Sequence, residues 1–218
     1  MIVDAFVYEG ERMELQCRLY ELQGLVHRHI AFCKEQDDLD RVRKLRSSEY
    51  PLDAFPFTDV ESVLRQFGDD DMFVYSDAKC VPARAAVAME HEEPIVLMTP
   101  RLVYSMKYAV EKPVFGAVIG KRGQLKTRTF EGVGVARRSY LAYPDGGWTM
   151  NWFGGNLTIL KGFENHPEKA MRMKAREVAE TYPREKIGPD GEMLVSYTGP
   201  VPNWYADGHA PNSWDLTW

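Results

Sequence analysis

The sequence predicts one α/β domain over 1–218, with a parallel central sheet, helices on both faces and antiparallel hairpins in the second half. Three observations point there. An apolar run, a helical period and a second apolar run follow one another within residues 2–33, the order of a βαβ unit. The run Met72–Tyr75 is continuously apolar and stops at Ser76-Asp77, as a buried central strand does. From Val114 onward the apolar runs are short and punctuated by glycine-rich turns.

Ile2–Tyr8 reads as the first strand. Met13, Leu15, Leu19, Leu22 and Val26 carry a helical period, with Gly24 as its stop. His29–Cys33 is the second strand. Residues 35–48 are charged and weakly periodic, fitting a loop or an exposed helix. Thr58-Asp-Val-Glu61 has the capping-box spacing and starts a helix ending at Gly68. Pro82 opens a helix over 83–90. Ile95–Met98 and Leu102–Val110 read as strands. Val114–Ile119 and Lys126–Phe130 flank a Gly-Lys-Arg-Gly turn as a hairpin. Arg138–Tyr143 and Trp148–Phe153 flank Pro144–Gly147 as another. Asn165 caps a last long helix reaching about Thr181, with Pro167 in its first turn. The tail over 190–218 reads as irregular.

Composition narrows the function classes. The chain is 44% hydrophobic and 27% charged, with net charge −5, ordinary for a soluble globular protein. Its pI of about 5.6 is not the basic footprint of a duplex-DNA binder. The basic segments Arg41–Arg46 and Lys121–Arg128 read as solvated faces. The three cysteines, Cys17, Cys33 and Cys80, show no zinc spacing and no disulfide framework. A reducing, cytoplasmic setting is expected. No apolar run is long enough to span a membrane, and the start lacks a signal-peptide pattern.

Two stretches carry the candidate chemistry. In GDDDMFVYSDAKCVPAR, Asp77 stands at the end of a buried strand, where open α/β sheets place ligands. It could equally cap a helix after that strand. Lys79 lies beside it, and Asp69–Asp71 form an acidic turn. In GGWTMNWFGGNLTILKGFENHPE, Trp148, Trp152 and Phe153 are either core or a sugar-stacking surface. Gly154 and Gly155 allow a tight turn or close backbone approach to a ligand. His166 and Glu168 precede a helix start, as acid/base groups or as local hydrogen-bonding groups. Glu11 is split between capping and ligand contact. Arg18 and Glu21 share a helix face as a surface pair.

These stretches, with the opening DAFVYEGERMELQCRLYEL, resemble glycosyltransferase family 17. Asp4, Phe6, Glu11, Arg18, Leu19, Glu21 and Leu22 fall on recurring positions of that family. The likeness covers most of 2–30 and 68–170. It implies a GT-A-like fold, a nucleotide-sugar donor such as UDP-GlcNAc, and inversion at the anomeric carbon. It places this chain beside small microbial or phage-type members, acting in the cytoplasm of a microbe or of a phage-infected cell. It implies Phe6, Asp77, Lys79, Trp148, Gly154 and Gly155 at the donor, and His166, Glu168 and Glu11 in catalysis. Loss of a diphosphate needs positive charge nearby, commonly Mg²⁺ or Mn²⁺ on carboxylates. Asp77 would be the metal ligand.

Two departures bear on that chemistry. Lys79 and Cys80 stand where the family carries its second Asp and often a Glu, and Thr149 stands where it usually has a His. Three readings stay open: Lys79 neutralises the diphosphate without metal; Asp77 binds metal with help from His166 or Asp69–Asp71; or only binding survives. The acceptor is a glycan, a protein or a modified base. A viral transferase glycosylating a DNA base is kept open by Lys121–Arg128 and disfavoured by the acidic pI. The Trp-rich end, with Trp204, Trp214 and Trp218, covers an acceptor site or buries a dimer contact.

Overall fold

The computed structural model describes residues 1–8, 12–46, 50–77, 79–127, 129–151 and 156–209. Two compact units emerge. The first combines Met1–Thr99 with Phe115–Gly147; the second combines Pro100–Val114 with the chain from Trp148 onward.

The first unit opens as the sequence predicts, with β1 (Ile2–Tyr8), α1 (Arg12–Glu21) and β2 (Arg28–Cys33). β1 and β2 pair in parallel, Asp4 opposite His29 and Phe6 opposite Ala31. Of the two readings for 35–48, the helix is present, as α2 (Gln36–Arg43), burying Leu39 and Val42. β3 (Leu52–Pro56) then pairs in parallel with β2. The sequence does not announce this strand. Its flanking prolines read as turn signals, yet an edge strand tolerates them.

A short 3₁₀ turn and α3 (Val60–Leu64) lead to β4 (Met72–Asp77), parallel to β1. The capping box does not form. Asp59, not Thr58, precedes the helix, and the Glu61 Oε1 accepts the Phe130 N–H instead. β5 (Cys80–Pro82), α4 (Arg84–Ala88) and β6 (Ile95–Thr99) follow.

In the second unit, β7 (Arg101–Val103) and β8 (Tyr108–Val110) pair antiparallel. The single expected strand 102–110 is broken at Tyr104, whose φ is +64°. Back in the first unit, β9 (Val114–Lys121) is antiparallel to β4. The hairpin expected over 114–130 is absent. Gly123 N–H donates to Asp69 O and Arg122 N–H to Asp71 O, so the chain turns onto the entrance of β4. α5 (Phe130–Ala136), capped by Thr129, replaces the second arm.

β10 (Leu141–Tyr143) is parallel to β6, whereas β11 (Gly147–Asn151) is parallel to β7, so these two do not form the expected hairpin either. The glycines of the expected turn are bonded elsewhere. Gly146 N–H donates to Met98 O, and Gly146 O accepts from Ala83 N–H.

The second unit continues with α6 (Asn156–Glu164), α7 (Lys169–Met173) and α8 (Ala175–Arg184). Asn165 does not cap a long helix. Its Nδ2 closes α6 on Lys161 O, and Lys174 (φ −110°, ψ 19°) separates α7 from α8. Helices α6 and α8 bury Ile159, Phe163, Val178 and Ala179 with Val103 and Tyr104. The tail is partly regular, with β12 (Leu194–Ser196) antiparallel to β8 and α9 (Asn203–Ala206).

The first unit's sheet runs β10-β6-β9-β4-β1-β2-β3. Alternate residues serve opposite faces. Val3, Ala5, Phe32, Phe73 and Tyr75 pack with α3 and α5. Phe6, Tyr8, Ala31 and Cys33 pack with α1 and α2, and Val74, Leu97 and Ile119 pack with α4. The expected α/β class, mostly parallel with helices on both faces, is present. The order also fixes a reversal. The chain steps from β1 outward to β2 and β3, then returns to β4 on the other side of β1. Ligands of open α/β sheets bind at the carboxyl ends of the strands beside such a reversal.

Candidate functional site at the carboxyl edge of β1 and β4

β4 ends at Asp77, directly beside Val7 of β1. The Asp77 Oδ1 accepts the backbone N–H groups of Lys79 and Cys80, both at 3.1 Å. Its capping role is thus to close a tight turn, and no helix starts there. Lys79 is half-buried on that turn.

The turn is held from below by Arg18, which sequence reasoning places at the surface and the structure buries completely. Four of its five N–H donors have partners. Nε and Nη2 clasp the two oxygens of Asp4, the first at 2.8 Å, and Nη1 donates to Asp77 O at 3.3 Å and to Cys80 O. The Asp4 Oδ2 also accepts from His29 Nδ1 at 2.8 Å. Burial alone would raise the Asp4 carboxyl. The charge and hydrogen bonds of Arg18, with those of His29, outweigh it and hold Asp4 down at about 2. Arg18 is raised by the same pairing against its own burial. Phe6, expected at the donor, is fully buried with the Arg18 guanidinium 4.6 Å above its ring centre, so it is the floor under the arginine. Glu21, the expected partner of Arg18, instead accepts the Arg84 N–H at 3.2 Å.

A signal for Arg18 was present. Glu14, Arg18 and Glu21 run along α1 immediately beside Leu15, Leu19 and Leu22, and both stripes are buried. Asp4, an acid inside an apolar strand, needs a cation.

Beside this cluster Cys80 is buried and its thiol is pushed up to about 12, first by burial and then by Asp77, so it is no nucleophile. Ser76, opposite Phe6, has a buried Oγ without a hydrogen bond among the described residues. Asp69–Asp71 cannot assist Asp77. They precede β4, about 20 Å away at the other end of the strand. Asp71 accepts the Gly68 N–H and pairs with the chain's first amino group, and Asp69 pairs with Arg122. Among the described residues no group of three or more His, Cys, Asp or Glu side chains is arranged to hold a metal ion. The Asp77 Oδ1 is engaged in the turn, and Glu9 and Glu11, which follow β1, lie outside the described residues.

The remaining candidates of the second stretch lie in the second unit. Trp148 is buried, its indole N–H donating to Pro200 O at 2.6 Å. The His166 Nδ1 accepts the Glu168 N–H at 3.1 Å, and its ring, 4% exposed, lies over Phe163. Glu168 is exposed at the start of α7, and its side chain forms no cap. Glu11, Gly154 and Gly155, with Trp152 and Phe153, lie outside the described residues. In the basic segment, Arg122 is buried and donates to Phe67 O, which removes one cation from any nucleic-acid surface, while Lys126 is exposed and donates to Ser139 O.

No protein-family model matches the chain. No curated protein sequence matches it. Among solved structures it is similar to a provisionally assigned nucleotide-diphospho-sugar transferase from Desulfovibrio desulfuricans G20. The identity is 11% and the TM-score 0.41, over 83% of this chain and 96% of that one. It is also similar to mannose-6-phosphate isomerase from Helicobacter pylori, at 7% identity and a TM-score of 0.34, over 90% and 86%. Both scores lie below 0.5, and neither likeness assigns a function. No described helix is long and apolar enough to cross a membrane.

Proposed function

We propose that this chain is an inverting glycosyltransferase that holds a nucleotide sugar at the carboxyl edge between β1 and β4. One observation carries the reading: the strand order reverses between β1 and β4, and at that point a buried Asp4–Arg18 pair locks the Asp77–Cys80 turn. A preorganised turn at a reversal point is where a diphosphate can be met without reorganisation.

In the proposed reaction an acceptor hydroxyl oxygen bonds to the anomeric carbon while the bond from that carbon to the diphosphate oxygen breaks. The electron pair leaves with the nucleoside diphosphate, and the hydroxyl proton passes to a base. The Lys79 ammonium neutralises the departing diphosphate, a role that needs no metal. The resemblance to family 17 suggests a UDP-sugar, with the acceptor a glycan, a protein or a modified base.

The test is release of nucleoside diphosphate from a panel of nucleotide sugars, with Mn²⁺ or with EDTA. Activity is expected to survive EDTA and to fall about a hundredfold in Lys79→Ala. Activity lost in EDTA and restored by Mn²⁺ would overturn the metal-free role of Lys79. No release from any donor would overturn the transferase reading. A second reading, binding without transfer, is favoured by the engagement of Asp77 Oδ1 in the turn; it predicts a saturable donor complex and no release.

A further inference from the structure

The first unit contains a cleft of about 310 Å³ lined by Phe57, Thr58, Val60, Glu61, Thr129, Phe130 and Glu131. It opens where the chain leaves β3 for α3, against the start of α5. Among the described residues its lining has two aromatic rings, two carboxylates and two hydroxyls, and the Lys34 ammonium lies 5.9 Å from the Phe57 ring centre. The two carboxylates of the lining accept hydrogen bonds. The hydroxyls are turned to local partners: Thr58 Oγ1 donates to Asp59 Oδ1, and Thr129 Oγ1 accepts the Gly132 N–H. The Glu61 Oε1 accepts the Phe130 N–H at 3.3 Å, and its Oε2 has no hydrogen bond among the described residues.

The aromatic wall is rigid. The Phe130 ring meets Phe32 and Tyr75 edge-on, with centroids 6.0 and 5.7 Å away. Behind it the Tyr75 hydroxyl, 2% exposed, is another polar atom without a partner among the described residues. Asp77 is two residues beyond Tyr75 on the same face of β4, about 7 Å further along the strand. The cleft is therefore within a nucleotide's length of the Asp77–Cys80 turn.

We propose that this cleft binds a nucleobase, stacked on Phe130 and Phe57, and that Glu61 selects guanine. Guanine presents two adjacent N–H donors, N1 and N2, on one edge, which match a carboxylate. Uracil presents one N–H between two carbonyl oxygens, and those oxygens face the carboxylate's lone pairs. Adenine offers an amino donor beside an acceptor nitrogen. The lining thus disfavours the uracil that the family resemblance suggests. The link from this base to the sugar donor rests on the function proposed above; base binding itself does not.

Nucleosides without phosphate separate the two. Calorimetric titration of the full chain with guanosine, uridine and choline is the test, choline standing for the organic cations that an acidic aromatic cleft could also hold. Guanosine is expected to bind and uridine and choline not. Glu61→Gln keeps an oxygen for the Phe130 N–H but sets an amide N–H₂ against guanine's donors, so guanosine affinity should fall about tenfold or more. Equal or tighter binding of uridine, binding of choline alone, or an unchanged guanosine affinity in Glu61→Gln would each overturn the inference. A chain that binds guanosine but releases no diphosphate from any nucleotide sugar retains this site and loses the transferase reading. One that turns over UDP-sugars and ignores guanosine does the reverse.

Discussion

Arg18 and Asp4 show how one buried residue pair can hold the turn of a candidate site. A bidentate pair in a dry interior repays its desolvation only when the remaining donors are also satisfied. Here the carbonyls of Asp77 and Cys80 satisfy two of the remaining three. Removing one partner leaves a buried charge, so Arg18→Leu should cost about 3–5 kcal/mol in denaturant unfolding. A loss under about 1 kcal/mol would show that the pair is dispensable. The sign with pH follows from Asp4. Its folded carboxyl sits near 2, below the ordinary value of 3.8, so its contribution is complete above about pH 4 and is lost as pH falls toward 2. That contribution is about 2 kcal/mol. Asp4→Asn should be less stable at neutral pH and should flatten the stability profile between pH 4 and 2. A profile as steep as the parent's would assign the acid transition to other carboxylates.

At the scale of elements, the segments read correctly are those whose pattern is decided locally. Ile2–Tyr8 and Met72–Asp77 are apolar enough to be strands in any context, and α1 has both a period and a stop. The errors lie where tertiary partners overrule a local signal. Glu61 bonds the backbone of Phe130, 69 residues away, and not its own helix start. Gly120–Gly123 and Pro144–Gly147 look like hairpin turns, yet their backbone groups bond distant segments. Gly147 is the sharpest case. Its φ is +144°, and an added Cβ would lie 2.3 Å from Val81 O and 2.8 Å from Ala83 N, both backbone atoms. Neither can yield cheaply, so Gly147→Ala should destabilise by more than about 2 kcal/mol. A melting temperature within a degree of the parent would mean that the neighbouring backbone gives way freely.

For the whole molecule, the fold class was legible because alternating burial and a βαβ opening are properties of sequence. The candidate site was legible only in part. Asp77 could be found from its strand end. The strand reversal that makes its edge a candidate binding edge depends on β3, which the sequence hides, and on the return to β4. Arg18 was misread because a charged stripe on a helix is ordinarily solvated; only the acid at position 4 argues otherwise. Of the residues expected to act with Asp77, Phe6 is the buried floor beneath Arg18, while Trp148 and His166 are buried in the second unit, the first bonded to Pro200 O and the second to the Glu168 N–H.

The central claim is that the β1–β4 edge binds a nucleotide sugar through Lys79. Thermal unfolding against a panel of nucleoside diphosphate sugars, on the parent and on Lys79→Ala, tests it most directly, because a ligand held only by the folded state raises the midpoint with its concentration. The midpoint should rise with at least one nucleotide sugar in the parent. In Lys79→Ala the unliganded midpoint should be unchanged and the rise largely lost. No rise with any nucleotide sugar, or an equal rise in the variant, would contradict it.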